Sequence, residues 1–226
     1  MNRWDITRAQ SDYHFDAFRE GDHGKYFKTV GNIYQDWYDE LSYARKHEYD
    51  FYWPSPTRKD GTTLDGDKDT FDYSYEELLC KDWGIPLDFV VYRQHVVDYK
   101  TPILNSLAER VGLVGGQTNI QTQYTGMMLH LHIDSLTGLR KGRKDHMHDT
   151  GDKDDWGRCF VMLQDWAPGH IIQFGNTYVN PWHAGDIIWF DWRNIPHSTA
   201  NTGPWPRSIA KITGKVTDKF VELISK

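Results

Sequence analysis

Cysteine is nearly absent: Cys80 and Cys159 are the only two in 226 residues, far apart and without the paired spacing of a zinc site or a redox motif. A disulfide framework is therefore excluded, and both thiols are expected to be buried. Long apolar runs are missing as well. No stretch approaches the roughly 20 apolar residues that cross a bilayer, and Met1-Asn2-Arg3-Trp4-Asp5 carries no apolar leader segment. The expectation is a soluble, cytoplasmic protein with no membrane partner. Positive charge is in deficit, since 26 Lys plus Arg against 32 Asp plus Glu leave a net charge of -6. A surface of that sign does not gather phosphate backbones, so duplex nucleic acid is not expected as a partner. The sequence also lacks a phosphate-binding loop, a dinucleotide fingerprint and a nucleophile elbow, which removes the nucleotide-dependent and serine-hydrolase classes.

Aromatic residues are plentiful. Ten Trp, 13 Tyr and 10 Phe supply enough large apolar surface for a packed core, and the length suits one domain. Residues 1–226 are read as a single domain in which 1–115 give helical support and loops and 116–216 give the core. Phe27, Val30, Tyr34, Trp37, Leu41 and Ala44 recur at spacings of three and four, which predicts a helix over about residues 24–46. The stretch 53–70, rich in Pro, Gly, Asp and Thr, reads as a surface loop. Thr101-Pro102 has the form of an N-cap and first helical position, and Ile103, Leu104, Leu107 and Val111 continue a helix that ends at Gly112. After Gly116 the period changes to two, and six short strands are predicted at 119–124, 127–134, 158–165, 170–174, 186–191 and 207–216. Helices first and strands afterwards predict a mainly β sandwich or jelly roll with N-terminal helices on one face.

Chemistry concentrates in two places. In Met128-Leu129-His130-Leu131-His132-Ile133-Asp134, strand alternation puts His130, His132 and Asp134 on one face, where burial without a partner is costly. Downstream, a strand ends near Asp191, a short turn carries His197 back toward the sheet, and Arg207 opens the next strand. Two imidazoles and one carboxylate form the facial triad of non-haem Fe(II) oxygenases, which leaves positions for a co-substrate and O2. The planar fork of Arg207 suits a carboxylate gripped in a bidentate manner.

His132-x-Asp134, the distal His197 and the following Arg207 together resemble, in kind, order and rough spacing, the Fe(II) and 2-oxoglutarate-dependent oxygenases. Tyr124-Thr125-Gly126 and the run Leu163 to Gly169 look like the prolyl-hydroxylase-like branch. Phe190-Asp191, His197, Asn201 and Arg207 also look like the aspartyl/asparaginyl hydroxylases. The resemblance implies a double-stranded β-helix (jelly roll, cupin-like) core and a dioxygenase whose Fe(II) is held by His132, Asp134 and His197. It further implies that 2-oxoglutarate meets Arg207, and that a small-molecule or peptide substrate is hydroxylated with O2. A tyrosine that the family often uses on the co-substrate is missing from Cys159-Phe160-Val161-Met162, and Tyr124, Gln121 or Gln123 are the candidates to replace it. Lys211, on the strand face of Arg207, is another group that could meet a carboxylate. The carboxylate at Asp134 implies hydroxylation rather than halogenation, because family halogenases carry a small residue there.

His130 is expected in a supporting role, and His146, His148 and His183 in loops or on the surface. Asp65-x-Asp67-x-Asp69 with Glu76 echoes a calcium loop but has Thr70 where the turn needs Gly. Arg140 to Lys144, with the acidic run that follows, is a candidate lid. Two other classes stay open: a cupin using His130, His132 and His197 without 2-oxoglutarate, and a non-catalytic β-sandwich binding module.

Overall fold

The computed structural model describes residues 26–52, 84, 89–132, 155–192 and 195–225. Asp134, Cys80, His146, His148, the 53–70 loop, the calcium-like run and the candidate lid at 140–144 lie outside the described residues. In chain order the elements are β1 (Phe27–Asn32), α1 (Tyr38–Lys46), β2 (Tyr49–Tyr52), β3 (Val90–Val96), α2 (Pro102–Val111), β4 (Leu113–Gln123), β5 (Met128–His132) and β6 (Trp156–Met162). They continue through β7 (His170–Phe174), β8 (Thr177–Tyr178), β9 (Asp186–Phe190), β10 (His197–Asn201), β11 (Arg207–Val216) and α3 (Asp218–Ile224).

The strands form two antiparallel sheets. The large one runs β1-β9-β6-β11-β4-β3-β2 and the small one β5-β10-β7-β8. From β4 to β11 the chain therefore alternates between the large and the small sheet, with only the hairpin β7-β8 staying in one, and so winds an antiparallel ribbon around a common interior. It is a double-stranded β-helix. β3 and β2 widen the large sheet at one side and β1 at the other.

Each face of the large sheet buries a different core. On β11, Ala210 and Ile212 join Cys159 and Val161 of β6 against Trp37 at the cap of α1, Leu41 and Ala44 within it, and Leu104, Leu107 and Val111 of α2. The alternate residue Ile209 packs between the sheets with Phe160, Met162, Ile172, Phe174, Ile188 and Phe190. Period-two alternation is thus read out as helix side and interior side.

The helix expected over 24–46 is shorter than that. Residues Phe27–Asn32 form an edge strand on β9, Phe27 opposite Phe190 and Thr29 opposite Ile188. Alternation puts Val30 on the face opposite Phe27, so Val30 joins the helix-side core while Phe27 stacks on Phe174 in the interior, and a register shift follows between Thr29 and Gly31. Both faces of this edge strand are covered, so buried residues three apart on opposite faces give a helix-like spacing, which is why the pattern mimicked a helix. Only the Trp37, Leu41 and Ala44 portion of the stripe belongs to α1 or its cap.

The second helix matches its prediction, with Pro102 in its first turn and a left-handed cap at Gly112, φ 84°. Its N-terminal cap comes from elsewhere: both oxygens of Glu40 on α1 accept the Ile103 and Leu104 N–H groups at 2.9 Å. Thr101 instead closes a turn with Asp98. Cys159 is buried, as expected.

Candidate metal and carboxylate site

Arg207 begins β11 opposite Gln123, the last residue of β4, and its odd-numbered strand face is the interior one. The side chain is 1% exposed. Its Nη2 donates to Gln123 Oε1, whereas Nε and Nη1, also sealed from solvent, have no hydrogen-bond partner among the described residues. Burial alone pushes the guanidinium down to about 9. Unsatisfied buried donors of a charged group are costly. The donor set matches one ligand class well: an anion with two acceptor oxygens in a plane, such as a carboxylate.

The two histidines meet across the small sheet. β10 pairs with β5 so that His197 stands opposite His132, and the imidazole centroids lie 4.4 Å apart. His197 is 2% exposed and is walled by Phe190, Phe174 and Phe160, with ring centroids 4.9, 5.9 and 6.4 Å away. Each ring is held through Nδ1 to a carbonyl two residues upstream, His132 to His130 O at 2.6 Å and His197 to Ile195 O at 3.2 Å. A carbonyl can only accept, so Nδ1 carries the proton and Nε2 of the neutral ring carries the lone pair. This is the outer-sphere arrangement that prepares an imidazole to bind a metal. Among the described residues no cluster of three or more His, Cys, Asp or Glu is present; the expected third ligand, Asp134, lies outside them.

Other expectations come out differently. His197 is back in the sheet and opens β10, a strand that was not among the six expected. His130 and His132 do not share one regular strand face, because a register shift pairs His132 with His197 but Leu129 with Thr199. Two residues, His130 and Leu131, then stand opposite Ser198. The bulge re-aims His132, and burial, helped by the neighbouring His132, holds His130 below its ordinary pKa. Tyr124 does not join Arg207. Its hydroxyl donates to Glu48 Oε1 at 2.6 Å beneath the Arg93 guanidinium, in a network that reaches Thr122, Ser208 and Arg45 on the helix side of the sheet. Burial and the Glu48 bond push its phenol up to about 12. Strand alternation that faces Gln123 inward necessarily turns Tyr124 away.

Gln121 does face the interior, opposite Ile209 and beside Gln94, and Lys211 shares that face opposite Asn119. His183 is exposed in a loop, as expected. The sequence reading named Gln123 among the candidates to help hold the co-substrate but did not pair it with Arg207. The signal was available, because β4 and β11 carry their polar inner residues at the same parity.

No family model and no curated protein matches this sequence. Among solved structures, a prolyl-4-hydroxylase from Pseudomonas putida aligns over 62% of this chain and 84% of its own, at 13% identity and a TM-score of 0.39. The non-haem alpha-ketoglutarate-dependent epimerase SnoN from nogalamycin biosynthesis aligns over 93% and 80%, at 11% identity and 0.47. A cupin 2 conserved barrel domain protein from Salinispora arenicola aligns over 62% and 93%, at 10% identity and 0.32. At such scores these overlays assign no family. The strand order and the side-chain geometry stand on their own.

Proposed function

We propose that the protein is an Fe(II)- and 2-oxoglutarate-dependent dioxygenase that hydroxylates an amino acid, a peptide side chain or another small polar molecule. The observation that carries this reading is Arg207: a cation sealed inside the barrel with two donors unpaired, in the same interior as two imidazoles whose Nε2 atoms bear lone pairs. These groups fit the centre that the sequence pattern implies. His132 and His197, with Asp134, would hold the iron, and Arg207 with Gln123 would hold the far carboxylate of 2-oxoglutarate. When bound, Fe(II) with O2 and 2-oxoglutarate supplies an oxidant for C–H bonds, releasing succinate and CO2.

The chain's own residues do the rest. Nδ1 anchoring fixes both imidazoles in the ligating tautomer. The Arg207 fork sets the direction of the co-substrate, and Phe160, Phe174 and Phe190 exclude water from the side of His197. Gln121 and Lys211 furnish polar positions on the same inner wall. A cupin-type barrel without 2-oxoglutarate leaves the Arg207 donors unexplained, and so does a binding module.

The test is anaerobic titration of the Fe(II)-loaded protein with 2-oxoglutarate, watched for a new visible absorption band, followed by succinate measurement after O2 is admitted. A protein that binds iron yet shows neither band nor succinate is not this enzyme.

A further inference from the structure

The segment that delivers Arg207 is held by side chains rather than by the strand ladder. β10 ends at Asn201, five residues cross to β11, and the last two carbonyls before Arg207 belong to Trp205 and Pro206. Trp205 O accepts two hydrogen bonds, from Asn201 Nδ2 at 2.7 Å and from His170 Nε2 at 3.0 Å. Pro206 O accepts from Gln164 Nε2. His170 is itself fixed on its other side, where Nδ1 accepts the Ala167 N–H at 3.2 Å, and its ring stacks on Trp182.

Those two bonds leave a single protonation state. The Trp205 carbonyl only accepts, so Nε2 must bear a proton; the Ala167 amide only donates, so Nδ1 must be bare. His170 is a neutral Nε2–H tautomer. Burial, the largest influence, lowers its pKa, the Arg207 charge acts in the same direction, and the Trp205 carbonyl opposes them. The backbones meet closely here as well. Thr202 N–H donates to Gly169 O at 2.8 Å, and Gly169, at φ 94°, has Gly203 N only 2.2 Å from where a Cβ would stand. His170 therefore sits where the turn before β7 and the turn before β11 are joined.

We infer that His170 is a positioning residue for the co-substrate carboxylate: through its Nε2–H bond to the Trp205 carbonyl it orients the strand entry that aims Arg207. This rests on the function proposed above. Both ring nitrogens of His170 are taken by backbone groups of Ala167 and Trp205, so its effect is on the affinity for 2-oxoglutarate and not on the iron.

The two imidazole nitrogens can be tested separately. In His170→Gln the amide N–H group takes the place of Nε2 and keeps a donor for Trp205. In His170→Asn the amide oxygen takes the place of Nδ1 and keeps an acceptor for Ala167, but no donor reaches Trp205. Calorimetric titration of each Mn(II)-loaded protein with 2-oxoglutarate, without O2, reads the affinity directly, with Mn(II) affinity and melting temperature measured alongside. The expected result is about a tenfold weaker 2-oxoglutarate dissociation constant for His170→Asn, the scale of one lost hydrogen bond. His170→Gln should stay within about twofold of wild type, and Mn(II) affinity should be unchanged in both. Equal affinities in the two variants, or the reverse order, overturn the inference and leave His170 a purely structural support of the 163–169 turn. Failure of the wild type to bind 2-oxoglutarate, or equal binding by wild type and Arg207→Ala, is the separate signature that the functional reading itself is wrong.

Discussion

Replacing Arg207 by Met should stabilise the ligand-free protein. The folded structure holds this cation with only one of its donor nitrogens partnered, and burial pushes its pKa down to about 9. At about 1.4 kcal/mol for each tenfold change in proton affinity, the fold loses about 4 to 5 kcal/mol at neutral pH by keeping the charge inside. Because the folded value lies below the unfolded one, that loss is complete below about pH 9 and is relieved only as the pH climbs past it. Met has similar length and no charge. Its substitution strands Gln123 Oε1, which costs about 1 to 3 kcal/mol, so the net gain is about 1 to 4 kcal/mol. For a chain of this size that raises the melting temperature by roughly 2 to 16 °C. The ligand response should invert. 2-Oxoglutarate at about a hundred times its dissociation constant stabilises the wild type by about 2.7 kcal/mol and the variant not at all. Calorimetric or circular-dichroism melts at pH 7.5, with and without 2-oxoglutarate, measure both quantities. An Arg207→Met protein that melts lower than wild type without ligand and still gains stability from 2-oxoglutarate would refute the reasoning.

Further outcomes follow from other sites. His132→Ala and His197→Ala should each reduce bound iron to a small fraction of wild type, measured by metal analysis after dialysis, because a three-ligand centre has no spare donor. Tyr124→Phe should lower stability by about 1 kcal/mol in denaturant titrations, while the 2-oxoglutarate affinity measured by calorimetry stays at the wild-type value, since its hydroxyl serves Glu48 and not Arg207. Burial raises the Glu48 pKa, so the folded state favours its protonated form. Wild type should therefore lose stability relative to Glu48→Gln as the pH rises through the elevated carboxyl titration, and melts from pH 4 to 8 showing the opposite trend would count against it. Gly169→Ala should destabilise by roughly 2 to 4 kcal/mol, because a methyl at a positive φ would overlap the Gly203 backbone; a variant that melts with wild type would show that the two turns can separate freely.

The parts of the fold legible in the sequence are those where one periodicity runs undisturbed. α2 was readable because Pro102, the apolar stripe and Gly112 agree. The strands β4, β7, β9 and β11 were readable because their alternation is long or sharply bounded. β1 was not, since burial of both its faces places Phe27 and Val30 at a helix-like spacing, and β2 and β3 were hidden because they lengthen a sheet whose other strands lie far along the chain. At the site, the ordered set of His132, His197 and Arg207 could be picked out by residue type, and the structure brings the two imidazoles together. Tyr124, next in the chain after the inward-facing Gln123, sends its hydroxyl to Glu48, a contact that the residue pattern did not announce. His130 was placed with His132 because a bulge in β5 leaves no trace in the pattern. The support given by His170 and Asn201 to Trp205 depends on backbone carbonyls, which no side-chain pattern announces.

β11 lies at the centre of the seven-stranded sheet, between β6 and β4, although it is the last strand in chain order. During synthesis, β1, β9 and β6 on one side and β4, β3 and β2 on the other are complete before the strand that joins them has emerged. Until it inserts, both groups present open backbone edges, which is a liability for misassociation. The keystone also carries Arg207. Vectorial assembly thus ends with the same ten residues that close the sheet and furnish the carboxylate anchor, so a nascent chain acquires a finished wall and its anion grip in one event. Ribosome-bound chains stalled before residue 207 should be protease-sensitive throughout the large sheet, not only at its missing strand.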